Sequence, residues 1–258
     1  MSNEMSFEEL SSLARDGNRE AMGELGELLW TDDPVSASGW LERAVGLGSW
    51  WAADLLATLT GTSEESQRWR RVSIDLARQD ADREDVDAII FLAWLHQDGE
   101  PVQAIALYGR AAEAGSVDAM ERMGSMLANR NQDEQARQWY EKAAETGSVT
   151  AMTELGILLF HERRDESIKW LRKAAEGGNV RAMITLADGL QFRDWTEALT
   201  WLRIACDLGD EEACNILGAV PLKRPFVTKK RLLALATEKK AMRIGRRAKK
   251  RRAKKAKE

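Results

Sequence analysis

Apolar residues recur along the chain in a stripe of helical period, and the stripe restarts about every 31 residues. The restarts align on a glycine followed four residues later by alanine. They fall at Gly17, Gly48, Gly115, Gly147, Gly178 and Gly209, with Glu84 taking the glycine's place once. The spacings are 31, 36, 31, 32, 31 and 31. Behind each anchor, offsets +4, +5, +8, +9 and +12 lie on one face of an α-helix, helix A. Offset +8 reads Leu25, Leu56, Leu92, Met123, Leu155, Leu186 and Leu217. Offset +9 is always Gly or Ala, small enough for a neighbouring helix to close in. A second helix, B, precedes the next anchor. It places Trp40, Leu107, Trp139, Trp170 and Trp201 at −8, and Ala44, Ala111, Ala143, Ala174 and Ala205 at −4. Large beside small on one helical face is a packing surface. These tryptophans are therefore expected in the core.

The residue after each anchor is Asn18, Ser49, Asp85, Ser116, Ser148, Asn179 or Asp210. All seven are good N-caps, whose side-chain oxygens accept unpaired N–H groups of a helix start. The anchor glycine suits the positive φ that ends a helix. Each anchor thus predicts one helix stopping and the next starting with almost no loop. Ser6 to Asp16 reads as an unpaired B-like helix, with Ser6 and Glu9 as a capping box. The unit from Gly48 to Glu84 is longer by about five residues, with Trp69 and Leu76 in its B helix. The expected fold is all-α: an α-solenoid of six to seven stacked antiparallel helix pairs. The expected divisions are a capping helix over 1–16, the repeat array over 17–220 and a basic C-terminal segment over 221–258.

The segments WYEKAAETGSVTAMTELG (139–156) and WLRKAAEGGNVRAMITLA (170–187) resemble the Sel-one-like repeat family, a branch of the tetratricopeptide-like α-solenoids. The likeness runs over roughly residues 6–220. Typical members carry a longer A–B connection with a Gly-x-Gly segment, which is absent here. The resemblance implies a right-handed array of helix pairs that serves as a protein-binding scaffold and performs no catalysis.

Composition narrows the chemistry. The chain has two cysteines, Cys206 and Cys214. They read as two small apolar residues in a core, in a reducing compartment, and make no zinc site. The longest apolar run, Ala88 to Leu95, is eight residues. A membrane span needs roughly 20, so a cytoplasmic protein is expected. His96 falls at offset +12, where other units have leucine, and reads as a core-edge residue. His161 lies in a charged turn and reads as solvated. No nucleophile triad, phosphate loop, dinucleotide fingerprint or metal-ligand cluster is present in the sequence. The expectation is a non-enzyme with no cofactor and no metal.

Charge divides the chain. Residues 1–222 hold 21 Lys/Arg against 40 Asp/Glu, net −19, and residues 223–258 hold 17 against 2, net +15. In tetratricopeptide-like proteins helix A lines the concave face. By that resemblance the groove-facing offsets are +3, +6, +10 and +13. They supply a candidate protein-binding groove of Glu20, Glu27, Trp30, Trp51, Asp54, Asp87, Ile90, Trp94, Asp118, Glu121, Ile157 and Phe160. Acidic residues beside aromatic platforms suit a basic, partly apolar peptide. The C-terminal run supplies a candidate anion-binding segment: Arg243, Arg246, Arg247, Lys249, Lys250, Arg251, Arg252, Lys254 and Lys255. Its first part, from Thr228, reads as a capping helix. The remainder reads as a binder of nucleic acid, ribosome or another anionic surface, or as a ligand for the protein's own acidic groove. The leading functional expectation is a protein-binding adaptor; the alternative is a nucleic-acid- or ribosome-associated protein acting through this basic segment.

Overall fold

A computed structural model describes residues 6–191 and 193–219. The expectations for the basic C-terminal run, its capping helix, anion binding and self-docking, lie outside the described residues. Fourteen α-helices and no strand occur among the described residues. The chain divides into two compact units, residues 1–139 and 140–258.

In the first unit, α1 (Phe7–Arg15) precedes α2 (Arg19–Leu29), α3 (Pro34–Gly46), α4 (Trp50–Leu59), α5 (Glu64–Ala81), α6 (Val86–His96), α7 (Pro101–Glu113) and α8 (Val117–Ala128). Each helix packs on the next in sequence, and α2 also touches α4. Helix α9 (Asp133–Glu145) carries the chain across the unit boundary. The second unit holds α10 (Val149–Leu158), α11 (Arg164–Glu176), α12 (Val180–Leu190), α13 (Trp195–Asp207) and α14 (Glu211–Ala219). There too α11 through α14 pack in order, and α10 also touches α12. This is the stacked-hairpin order of an α-solenoid. The even-numbered helices from α2 are the A helices and the odd-numbered ones the B helices. The extra residues of the long unit go into α5, the longest helix at 18 residues.

The junctions explain the glycine column. Gly115 sits at φ 95°, and its N–H donates to Ala112 O at 3.0 Å. The next N–H, of Ser116, reaches back to Ala111 O at 3.1 Å. That pair of bonds is the Schellman ending, which needs a left-handed residue. Ser116 Oγ then accepts from Ala119 N at 3.3 Å and opens α8. One residue thus closes the helix behind it with its N–H and starts the helix ahead with its side chain. Asn18, Ser49, Asp85, Ser148, Asn179 and Asp210 do the same. Glu84 adopts φ 63° at the column's exception, and Arg110 pairs with its carboxylate at 3.0 Å.

The core lies along the facing sides of A and B. The buried large residue of helix B is one position later than the sequence pattern suggested. Leu41, Tyr108, Tyr140, Leu171 and Leu202, at −7, are all 4% exposed or less. The −8 tryptophans are shifted about 100° around the helix. Trp40, Trp139 and Trp170 are half-buried, and of the four only Trp201 is buried, at 8%. Arg43 lies over the Trp40 ring at 4.6 Å and Lys173 over the Trp170 ring at 4.3 Å. Their indoles therefore cover the hairpin edge and carry a cation on the outer side. The expected −4 alanines are fully buried. In the long unit Asp80 stands in that column, 6% exposed, with Arg83 at 3.0 Å and Arg19 at 3.8 Å.

The cysteine expectation is overturned. Cys206 and Cys214 form a disulfide, joining α13 to α14 across the Gly209 junction with their Cα atoms 4.8 Å apart. The inference to a reducing compartment rested on unpaired thiols and falls with it. No helix among the described residues is long and apolar enough to cross a membrane.

Candidate partner-binding site

Consecutive A helices of the first unit bring several of the sequence-selected residues to one place. The Ser49 cap starts α4 so that Trp50 and Trp51 occupy its first turn. The Asp85 cap starts α6 with Asp87 in the first turn, and Ile90, Phe91 and Trp94 follow at helical spacing. Between them lies a cavity of about 480 Å³ lined by Trp50, Trp51, Asp87, Ile90, Phe91, Trp94, Tyr108 and Arg122. Trp51, Asp87, Ile90 and Trp94 come from the sequence-derived set. Trp50, Phe91, Tyr108 and Arg122 were missed, because they fall outside the four groove offsets.

The walls are aromatic and ordered by packing. Trp50 stacks on Phe91 with ring centroids 4.6 Å apart, and Phe91 on Trp94 at 6.5 Å, both pairs inclined by 27°. Phe91 is buried, whereas Trp94 is 53% exposed. Trp51 leans on Gly23 of α2, where an added Cβ would overlap the indole. Tyr108 closes the floor from α7; it is fully buried, and burial raises its phenol above the usual value. At the rim, Arg122 pairs with Asp118 at 3.6 Å. One acid of the expected groove is thus met by a base that the offsets passed over.

The remaining selected residues are dispersed. Glu20 and Glu27 are exposed on α2, and Trp30 is half-buried at its C-cap. Asp54 is half-buried on α4, and burial raises its carboxyl above the usual value against the pull of Arg70. Glu121 is half-buried on α8. Ile157 and Phe160 belong to the second unit, where Arg164 lies over the Phe160 ring at 4.8 Å and His161 meets its edge at 5.4 Å. His96 is half-buried and its Nδ1 meets Glu100 at 3.0 Å. Among the described residues no cluster of His, Cys, Asp or Glu could hold a metal ion.

The Sel1 repeat family model matches residues 86–116, 117–148, 149–179 and 186–210. These segments are Sel1 repeats. The same junction geometry precedes the matched segments at Gly17 and Gly48, so the helical stacking begins before them. No curated protein matches the chain significantly.

Among solved structures, the chain is similar to c5321, a protective antigen of uropathogenic Escherichia coli strains that displays an SLR fold. The two are 22% identical with a TM-score of 0.64, over 90% of this chain and 54% of that one. The chain therefore spans about half the antigen's length. A Sel1 repeat protein from Oxalobacter formigenes is 24% identical, with a TM-score of 0.58, over 79% of this chain and 100% of that one. The pilF protein of Pseudomonas aeruginosa is 18% identical, also at 0.58, over 80% of this chain and 99% of that one. At these identities the likeness establishes the fold. Sel1 repeat proteins as a family are non-catalytic protein-interaction scaffolds.

Proposed function

We propose that this Sel1-repeat protein is a binding scaffold whose A-helix face in the first unit engages a basic, partly apolar segment of a partner protein. One observation carries the reading: Trp94, a large aromatic residue 53% exposed, stands at the mouth of an aromatic cavity beside Asp87. A half-exposed indole at a concave site is a costly way to meet water and a common anchor at protein interfaces. Net charge points the same way. An excess of 19 acidic charges over residues 1–222 attracts basic partners and speeds their encounter. Glu20, Glu27 and Asp54 extend that acidity along the first unit. Ile157 and Phe160 offer a separate apolar contact on the second.

Selection of a random displayed-peptide library on the full chain tests the proposal. Peptides pairing Lys or Arg with an apolar residue are expected to be enriched, and Trp94→Ala is expected to erase the enrichment. Enrichment indifferent to Trp94→Ala places binding elsewhere, and acidic or uncharged winners contradict the proposal.

A further inference from the structure

We infer that the first-unit cavity takes the cationic side chain of the bound segment, a lysine or arginine, with its alkyl stem against the aromatic walls and its charge beside Asp87. This rests on the reading above and names the group that enters. The stacked row Trp50–Phe91–Trp94 is rigid, since Phe91 is pinned in the core. Trp94 is exposed and Trp50 and Trp51 are half-buried, so solvent reaches all three indoles. An indole face attracts a cation placed over it more strongly than any other side-chain ring does.

The polar members of the lining discriminate further. The charged ones are Asp87 and Arg122. Arg122 is answered by Asp118 at 3.6 Å. Asp87 forms no ion pair among the described residues, so the mouth carries an uncompensated negative charge. A purely apolar side chain would leave that carboxylate beside a dry surface. An anionic one would be repelled by it. A long cationic side chain buries its methylenes and keeps its charged head at the wet rim. The cavity, at about 480 Å³, has room for such a side chain together with part of its neighbour.

The test uses the full chain labelled with ¹⁵N, its indole signals assigned through Trp50→Phe, Trp51→Phe and Trp94→Phe. Four probes are titrated at matched ionic strength: n-butylammonium, N,N,N-trimethylbutylammonium, n-butylguanidinium and the neutral n-pentanol. The cations are expected to move the Trp51 and Trp94 indole signals saturably, about tenfold more tightly than the alcohol. Asp87→Asn should weaken the cations several-fold and leave the alcohol unchanged. Ranking among the cations then tells lysine, methylated lysine and arginine apart. Equal affinity for the alcohol would overturn the inference and leave an apolar anchor site, with the broader binding reading intact. No response to any probe would also overturn it, and the peptide selection would then decide the broader reading by itself.

Discussion

A methyl group added to Gly156 would lie 2.6 Å from Cγ of Leu171. The same distance separates a methyl on Gly26 from Leu41 Cγ. In both hairpins the +9 residue of helix A faces the −7 residue of helix B. Absence of a side chain on one helix lets a leucine of the other reach its backbone. Ser167 Oγ tightens the contact by donating to Gly156 O at 2.5 Å. Leu171 is fully buried and has no room to retreat. Gly156→Ala is therefore expected to destabilise the protein by about 1–3 kcal/mol, read from the midpoint of urea unfolding. An unchanged midpoint would mean that the two helices can part without cost.

Glu84 and Gly115 make a matched pair. Both occupy the junction column, at φ 63° and 95°. A side chain in the left-handed region costs roughly 1–2 kcal/mol. Gly115→Ala should lose about that much stability. Glu84→Gly should be neutral or stabilising by up to about 1 kcal/mol, because removing the strain outweighs an exposed ion pair to Arg110. A clear loss on Glu84→Gly would show that the Arg110 contact matters more than the backbone.

Asp54 gives a pH signature. Its folded pKa is raised by burial, with Arg70 opposing. A raised folded value means the carboxyl favours the fold when protonated. That contribution is complete below the unfolded pKa and is lost as pH rises through the folded one. Asp54→Asn should thus stabilise the protein at neutral pH, and the gain should shrink towards zero in acid. Thermal unfolding of both proteins from pH 3 to 8 reads the crossing. A gain that grows in acid would reverse the sign and discard the burial argument.

The disulfide ties the last described helix to its neighbour. Its two cysteines are eight residues apart in sequence. Closing so short a loop stabilises by roughly 2–3 kcal/mol in the chain-entropy picture. Replacing both cysteines by alanine should raise amide exchange in α14 and leave the first unit unchanged. Protection of α14 that is equal in both proteins would assign its docking to Ala213 and Leu217 alone.

The tryptophans of the −8 column separate by environment. Trp201 is buried and its indole N–H donates to Glu197 at 3.2 Å, which Arg172 grips with both arms at 2.9 and 3.0 Å. Trp201→Ala should cost about 3–5 kcal/mol. Trp170→Ala should cost about half as much, since its ring is partly open to solvent under Lys173. Equal losses would show that the two positions are packed alike.

Local chemistry was legible in the sequence; packing depth was not. Positive φ at Gly115 and the cap at Ser116 depend on the residues at those positions and their immediate neighbours. The order of the helices follows from them. The −8 tryptophans misled because size suggests burial, whereas one step around the helix decides which residue points inward. Leu41 and Leu171 hold that place. Trp51, Asp87, Ile90 and Trp94 line one cavity because register alone gathers them. Trp50 and Phe91 join that lining from outside the expected set, because their stacking depends on how α4 sits on α6. The Cys206–Cys214 bond is of the same kind: only the fold of the hairpin reveals that the two α-carbons are neighbours.

Ser116 and its counterparts have a consequence for how such a chain can change length. Each seam is sealed by two consecutive residues, the left-handed anchor and the cap after it, and what lies on either side makes the same demand of it. Cutting at two successive seams removes a complete module whose severed ends already match. A duplicated stretch of about 31 residues would likewise arrive with its own start and stop signals, so the array can lengthen or shorten without rebuilding any turn.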